Sequence, residues 1–126
     1  MASLRVRRIW RLRLGSGAPW VEEGLAVAGE VDLTTADRLR DRLTAALGRH
    51  PARLELDLAD LEFADSRLVH ILVEARAAFP ATRLLLTGCR PQLARLLGLC
   101  HLADLLAPPP DPDVTGEPPA TRLFAA

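Results

Sequence analysis

The sequence has no lysine, no asparagine and no tyrosine, and only two cysteines, two tryptophans, three phenylalanines and one methionine. Each scarcity excludes something. Cys89 and Cys100 are too few for a disulfide framework and cannot make an all-cysteine zinc site by themselves. With so few aromatics, the core must be built from leucine, valine, isoleucine and alanine, and hydrophobic residues make up 49% of the chain, which suffices. Every basic residue is arginine, and the 16 arginines are cancelled by 16 acidic residues. A net charge of zero argues against bulk electrostatic attraction to nucleic acid or to an anionic membrane. No window approaches the roughly 20 uninterrupted apolar residues of a membrane-spanning helix. The stretch from Met1 to Leu14 alternates arginine with apolar residues and lacks the continuous apolar block of a signal peptide. Reduced cytoplasm is therefore the expected location. Neither a Gly-x-x-x-x-Gly-Lys-Ser/Thr loop nor a Gly-x-Gly-x-x-Gly turn occurs, so no nucleotide-binding loop is visible.

What is present fits one domain, since 126 residues match the roughly 100–150 of a typical domain. Leu4, Val6, Trp10, Leu12 and Leu14 share one parity, and Arg5, Arg7, Arg11 and Arg13 share the other, with Arg8 and Ile9 breaking the alternation. Period-two alternation predicts a half-buried strand, its arginines forming a solvated face at the sheet edge. The turn cluster Gly15 to Pro19 and a second strand from Trp20 to Gly29, strongest at Leu25-Ala26-Val27-Ala28, complete a predicted hairpin. Thr34 or Thr35 caps a predicted helix to about Leu47, with Leu39, Leu43, Ala46 and Leu47 as its stripe and Gly48 as its stop. Arg53 to Leu58 alternates as a strand. A second helix is predicted from Ser66 to Ala78, with a stripe of Val69, Leu72, Val73 and Ala77 extended by Leu68. Arg83 to Thr87 reads as a short central strand, and Pro91 opens a third helix to about Leu97, with a leucine-rich continuation to Leu106.

The predicted fold class is thus α/β: a mixed sheet of four to five strands in the order β-β-α-β-α-β-α, with helices packed over it. From Pro108 onward proline recurs, so residues 1–107 are expected to form the domain and 108–126 a proline-rich tail.

The most informative stretch runs from Leu56 to Ser66. A strand ends, a loop follows, and Asp65-Ser66 opens a helix. Sites in α/β folds favour this position, beyond the carboxyl ends of strands. Asp65 or Ser66 serves there as a helix cap, as a switch, or as both. A phosphate on Ser66 would add about −1.5 to −2 charges. The second segment is Gly29-Glu30-Val31-Asp32, a turn from strand to helix, in which Asp32 either caps the helix or faces Ser66 across the sheet edge.

Together these segments carry a resemblance. Gly29 to Ala36 resembles the Gly-Glu-hydrophobic-Asp entry of STAS domains. Leu56-Asp57-Leu58, Phe63-Ala64-Asp65-Ser66, Val69 and Ile71-Leu72 resemble their strand–loop–helix, and Leu84 to Gly88, Pro91 and Arg95 to Leu105 the remaining strand and helix. The likeness runs from Leu25 to Leu106 and is strongest to bacterial anti-sigma factor antagonists. It implies a protein-binding module that is not an enzyme, whose partner is an anti-sigma factor with serine-kinase activity. It implies Ser66 as the phosphoacceptor, with Glu30, Asp32, Asp65, Ser66 and Arg67 on the partner-docking surface. It implies no cofactor, no metal, no direct nucleic-acid contact and no membrane insertion, and it leaves room for a weak homo-oligomer. Two positions depart from the family pattern: Arg67-Leu68 follow the serine where Ser or Thr and then Gly or Ala are usual, and Cys100-His101 replace a usual Thr-Gly pair. A scaffold subunit of a transport or stress-signalling complex, with Ser66 unmodified, is the alternative.

Other signals are weaker. Cys89, Cys100 and His101 have no common zinc spacing. His50 and His70 have no nucleophile or carboxylate partner in sequence, so no catalytic histidine is expected.

Overall fold

The computed structural model describes residues 3–13 and 20–106. Its sheet is assembled on one long strand, Trp20–Val31 (β2). Leu4–Arg13 (β1) runs antiparallel to β2 along one side, making the predicted hairpin, though its turn and Leu14 lie outside the described residues. On the other side β2 has two parallel partners in succession. Its first half pairs with Arg53–Asp57 (β3), and its end pairs with Leu61–Ala64 (β4). Arg83–Thr87 (β5) adds parallel to β3, giving the order β1-β2-β3-β5 with β4 on β2. The helices are Ala36–Leu47 (α1), Ser66–Ala78 (α2) and Pro91–Leu99 (α3), followed by a 3-10 turn, Ala103–Leu105.

One apolar cluster holds this together. Leu25, Val27, Leu54, Leu56, Leu84 and Leu86, from one face of the strands, meet Leu39, Leu43 and Leu47 of α1, Leu68, Ile71 and Leu72 of α2, and Leu97 of α3. The predicted α1 stripe is buried in full. The α2 stripe is rotated: Leu68, Ile71 and Leu72 are buried, whereas Val73 and Ala77 are exposed. Two neighbouring apolar ridges run along this helix, and the one continuing into Ala75 is the one that packs.

Three further expectations are corrected. The segment between β3 and α2 is not only loop, because β4 forms there, so the order is β-β-α-β-β-α-β-α. β5 is not central. It lies last in the sheet order, and among the described residues an isolated bridge between Leu86 and Leu106 is all that lies beyond it. It reads as a continuous apolar run because Leu84 and Leu86 face the helices while Leu85 is buried on the opposite face.

The third correction concerns β1. Arg8 pairs with Leu25 but Trp10 pairs with Gly24, so Ile9 is an extra residue. This bulge reverses the faces. Leu4 and Val6 lie with Val27 on the helix side; Trp10 and Leu12 lie on the other side, where the Trp10 indole rests on Gly24 and leaves no room for a Cβ there. Arg11, expected on a solvated face, is turned toward the helix side. There its Nε donates to Glu23 Oε1 at 2.6 Å, and Arg49 Nη2, just past α1, donates to both oxygens at 2.7 and 2.8 Å. Glu23 is 1% exposed. A lone buried carboxylate would be very costly, and two guanidinia make it tolerable while tying β1, β2 and the α1–β3 connection together.

The helix ends follow local rules with two substitutions of residue type. Gly48 is right-handed (φ −63°), and the left-handed residue after α1 is His50 (φ 53°), whose ring centroid lies 6.0 Å from that of Phe79 with the planes tilted by 55°. At the end of α3, Leu102 N donates to Leu97 O and His101 N to Gly98 O, a Schellman motif with His101 at its left-handed position (φ 60°). The apolar contact that accompanies the motif is Leu97 with Leu102, both buried.

Two stability outcomes follow. Glu23→Gln should cost about 2–3 kcal/mol in urea unfolding, less than the roughly 3–5 of a fully buried pair because both guanidinia reach solvent; an unchanged midpoint would refute the clamp. His101→Gly should gain about 0.5–1 kcal/mol, since the left-handed penalty of a side chain exceeds the entropy cost of glycine. A lower melting temperature for that variant would contradict the assignment.

Candidate functional site

The site is placed by register. Glu30 pairs with Phe63 and Val31 with Ala64, in parallel, with Glu62 left over as an irregularity in β4. Gly29 sits at the break with φ 99°, a conformation open to glycine. The residues after the paired ends, Asp32 and Asp65, therefore emerge side by side from neighbouring strands, which lie about 4.8 Å apart. Val31, Leu61 and Leu68 beneath them are buried, so the platform is anchored in the core.

Asp32 organises the turn into α1. Its Oδ1 accepts from Thr34 N at 2.8 Å and from Thr34 Oγ1 at 2.8 Å. The buried Thr35 hydroxyl donates back to Glu30 O at 2.7 Å, lies 3.3 Å from Asp32 Oδ1, and accepts from Asp32 N at 3.0 Å. Thr35 occupies the N-cap position, but its side chain does not cap α1; it braces the end of β2 instead. These bonds to the charged form, the Thr34 hydroxyl first, hold the Asp32 carboxyl below its ordinary value against a smaller opposing effect of burial. Asp32 is thus an anion fixed in place at neutral pH.

Asp65 settles which residue caps α2. Its Oδ1 accepts from Arg67 N at 2.8 Å, and its backbone is extended, as an N-cap requires. Its Oδ2 accepts from Arg67 Nη1 at 2.8 Å. One carboxylate thus caps the helix with one oxygen and holds a guanidinium with the other. Ser66 is the first residue of the helix and is exposed, and among the described residues its hydroxyl has no hydrogen-bond partner. The cap role belongs to Asp65, and the Ser66 hydroxyl is free for other chemistry. Glu30 is half-buried at the end of β2, its amide donating to Ser3 O at 2.8 Å.

The structure brings all five sequence-predicted residues, Glu30, Asp32, Asp65, Ser66 and Arg67, to one end of the sheet. It adds two that the sequence reading missed. Leu33 is 73% exposed and Phe63 is 53% exposed, and they follow or lie within the same paired strand ends. Phe63 is one of three phenylalanines in an aromatic-poor chain, and an apolar residue between Glu62 and Asp65 was the available signal. Exposed leucine and phenylalanine beside fixed charges suit a protein-docking face better than a small-molecule pocket. The adjoining cleft between β4 and the start of α3, lined by Phe63, Arg90 and Leu93 among others, has a volume of about 170 Å³, below the roughly 300 Å³ of a typical ligand pocket. Cys89 is half-buried, and burial pushes its thiol up; Cys100 is exposed. Among the described residues no helix is long and apolar enough to cross a membrane, and no group of three or more metal-ligating side chains occurs.

A family model described as "Mlab, STAS domain" matches residues 18–107. No curated protein matches the sequence. Among solved structures, an anti-sigma factor antagonist from Mycobacterium paratuberculosis is similar, at 24% identity and a TM-score of 0.68, over 85% of this chain and 87% of that one. The anti-sigma factor antagonist SpoIIAA in its unphosphorylated form has 16% identity and a TM-score of 0.65 over 98% of both chains. The Bacillus cell fate determinant SpoIIAA in the phosphorylated form has 15% identity and a TM-score of 0.58 over 83% and 89%. The mixed five-stranded sheet with three helices is the fold these chains share.

The Asp32 turn has a pH signature. A carboxyl lowered in the folded state adds stability that is complete above its unfolded value and disappears as the pH falls through the folded value. A carboxyl-carbon NMR titration should place Asp32 below the ordinary aspartate range, and Thr34→Val should move its midpoint up toward that range. An Asp32 midpoint indifferent to the loss of the Thr34 hydroxyl would refute the hydrogen-bonding account.

Proposed function

The chain belongs to the STAS-domain family, and on that premise we propose that it is an anti-sigma factor antagonist. The unmodified protein binds an anti-sigma factor with serine-kinase activity and so frees a sigma factor, and phosphorylation of Ser66 ends the binding. The observation that carries this reading is the exposed Ser66 hydroxyl, left without a hydrogen bond because Asp65 does the capping. The phosphorylated and unphosphorylated forms of SpoIIAA among the structural neighbours support it.

The docking face has the composition such an interaction needs. Leu33 and Phe63 provide apolar area whose removal from water drives association, at roughly 25 cal/mol per Å². Glu30, Asp32 and the Asp65–Arg67 pair provide charges that orient the partner. A phosphate on Ser66 adds about −1.5 to −2 charges at the centre of that face. A partner surface complementary to the unmodified face then meets repulsion and a strongly hydrated group it must desolvate. The chain itself performs no chemistry in this scheme: the kinase supplies ATP and the transfer machinery. The site of action is the bacterial cytoplasm, where the transcription machinery is.

A second reading has its own observation, the family model's description, which names Mlab and not an antagonist. Under it the same face docks a subunit of a transport or stress-signalling assembly, and Ser66 stays unmodified.

One experiment separates them. The protein is incubated with ATP and the anti-sigma serine kinases of its source genome, and the products are mapped by mass spectrometry. The antagonist reading expects one phosphate, on Ser66, absent in Ser66→Ala, and at least a tenfold loss of kinase affinity on modification, or about 1.4 kcal/mol. No label on Ser66, with partner binding unchanged when phosphoserine is installed at position 66, would overturn it in favour of the scaffold.

A further inference from the structure

Arg67 has a geometry that the proposed function does not use. It is the second residue of α2, two positions beyond Asp65, and side chains that far apart at a helix do not normally face one another. Its guanidinium nevertheless folds back past Ser66 to reach Asp65 Oδ2 at 2.8 Å. Helical side chains lean toward the N-terminus, which makes this reach possible. The charged end of Arg67 is thereby parked at the mouth of the helix, on the residue preceding the serine. The pair is partly solvated, with Asp65 28% and Arg67 43% exposed, so the guanidinium is free to change partners at little cost. The helix cap does not depend on it, because Asp65 Oδ1 is held by the backbone amide of Arg67.

We infer that Arg67 is a transferable counter-ion: it pairs with Asp65 while Ser66 is unmodified and passes to the phosphate when Ser66 is phosphorylated. This rests on the reading of Ser66 as phosphoacceptor. In that modification Ser66 Oγ bonds to the γ-phosphorus of ATP, the bond from that phosphorus to the bridging oxygen breaks, ADP leaves with the electron pair, and the hydroxyl proton passes to a base of the kinase. The product is a near-dianion with three acceptor oxygens, which competes for a forked guanidinium better than one carboxylate does.

The transfer has a consequence for regulation. Before modification Asp65 and Arg67 cancel, so the net charge of the face around Ser66 comes from Glu30 at the end of β2, from Asp32 just past it, and from Glu62 and Arg90 beside the adjoining cleft. After modification the phosphate is partly neutralised and the Asp65 carboxylate is uncovered. The new negative charge is spread over Ser66, Asp65 and Asp32, along the junction of β2 and β4, and is not confined to one side chain. A Ser66→Asp variant, with one charge and no forked acceptor, would leave Arg67 on Asp65 and would imitate the phosphorylated state poorly.

The test uses the full chain with phosphoserine installed at position 66 during translation, so that no kinase is needed. The second ionisation of the phosphate is followed by phosphorus-31 NMR against pH. A phosphate paired to Arg67 loses its last proton more easily, so it should titrate at least half a pH unit lower than in Arg67→Gln, about a threefold difference in proton dissociation constant. Arg67→Lys should recover part of the difference. Identical phosphate titrations in the wild type and Arg67→Gln, with circular dichroism showing both folded, would overturn the inference. The kinase assay above fails or succeeds independently of this result, so the two readings fall separately.

Discussion

The parallel pairing of Val31 with Ala64 is the constraint on which the functional end of the molecule depends. β2 is long enough to serve two parallel partners in turn. It holds β3 as far as the Ala26–Asp57 pair and, after a gap of a few residues, picks up β4 at Gly29. That change of partner brings Asp32 and Asp65 out together and starts α2 beside the entry to α1. Since side chains alternate along a strand, a slip of one residue in this short pairing would turn Phe63 inward and Ala64 outward, and would pull Ser66 away from Asp32. The pairing is secured from below by Val31, Leu58, Leu61 and Leu68, all buried. It is secured from the side by the Thr35 hydroxyl, which is spent on the end of β2 in place of the helix it precedes.

Most of the architecture was legible in the sequence, because it is written in strong periodicities. The α1 stripe, the bounds of α2, the proline at the start of α3 and the alternation of β3 all correspond to buried faces. What escaped had a physical reason in each case. β4 has four residues, of which Leu61 alone is buried, so it has no alternation to read. The α2 stripe was misplaced by one ridge, because Val73 and Ala77 fit the period as well as Ile71 and Ala75, and only tertiary packing chooses between them. The apolar run of β5 suggested a central strand, whereas both its faces are covered at the end of the sheet order. At the site, the paired segments ending in Asp32 and Asp65-Ser66 could be identified from residue type. For Leu33 and Phe63 residue type was the whole signal, since the exposure of an apolar side chain depends on what the fold leaves uncovered.

The two places where this chain uses arginine against acid illustrate how burial divides labour. Glu23 is sealed inside, and its guanidinium partners are structural, because a buried carboxylate left without them would be very costly. Asp65 and Arg67 meet at the surface, where the same chemistry is weak and therefore exchangeable. A fold with no lysine puts one planar, multidentate cation to both uses, and the depth of the site decides which one results.

The extra residue at Ile9 has a consequence of another kind. β1 behaves like a message read in two frames: up to Arg8 the even positions point to the helices, and from Trp10 onward the odd ones do. Deleting Ile9 would fuse the frames, send Arg11 to the far face and leave Glu23 without one of its cations. An insertion before Leu4 would leave both frames intact. Any alignment of this strand with another therefore has to be made in two blocks, with a gap allowed between Arg8 and Trp10, and a single continuous match across that point would compare side chains on opposite faces of the sheet.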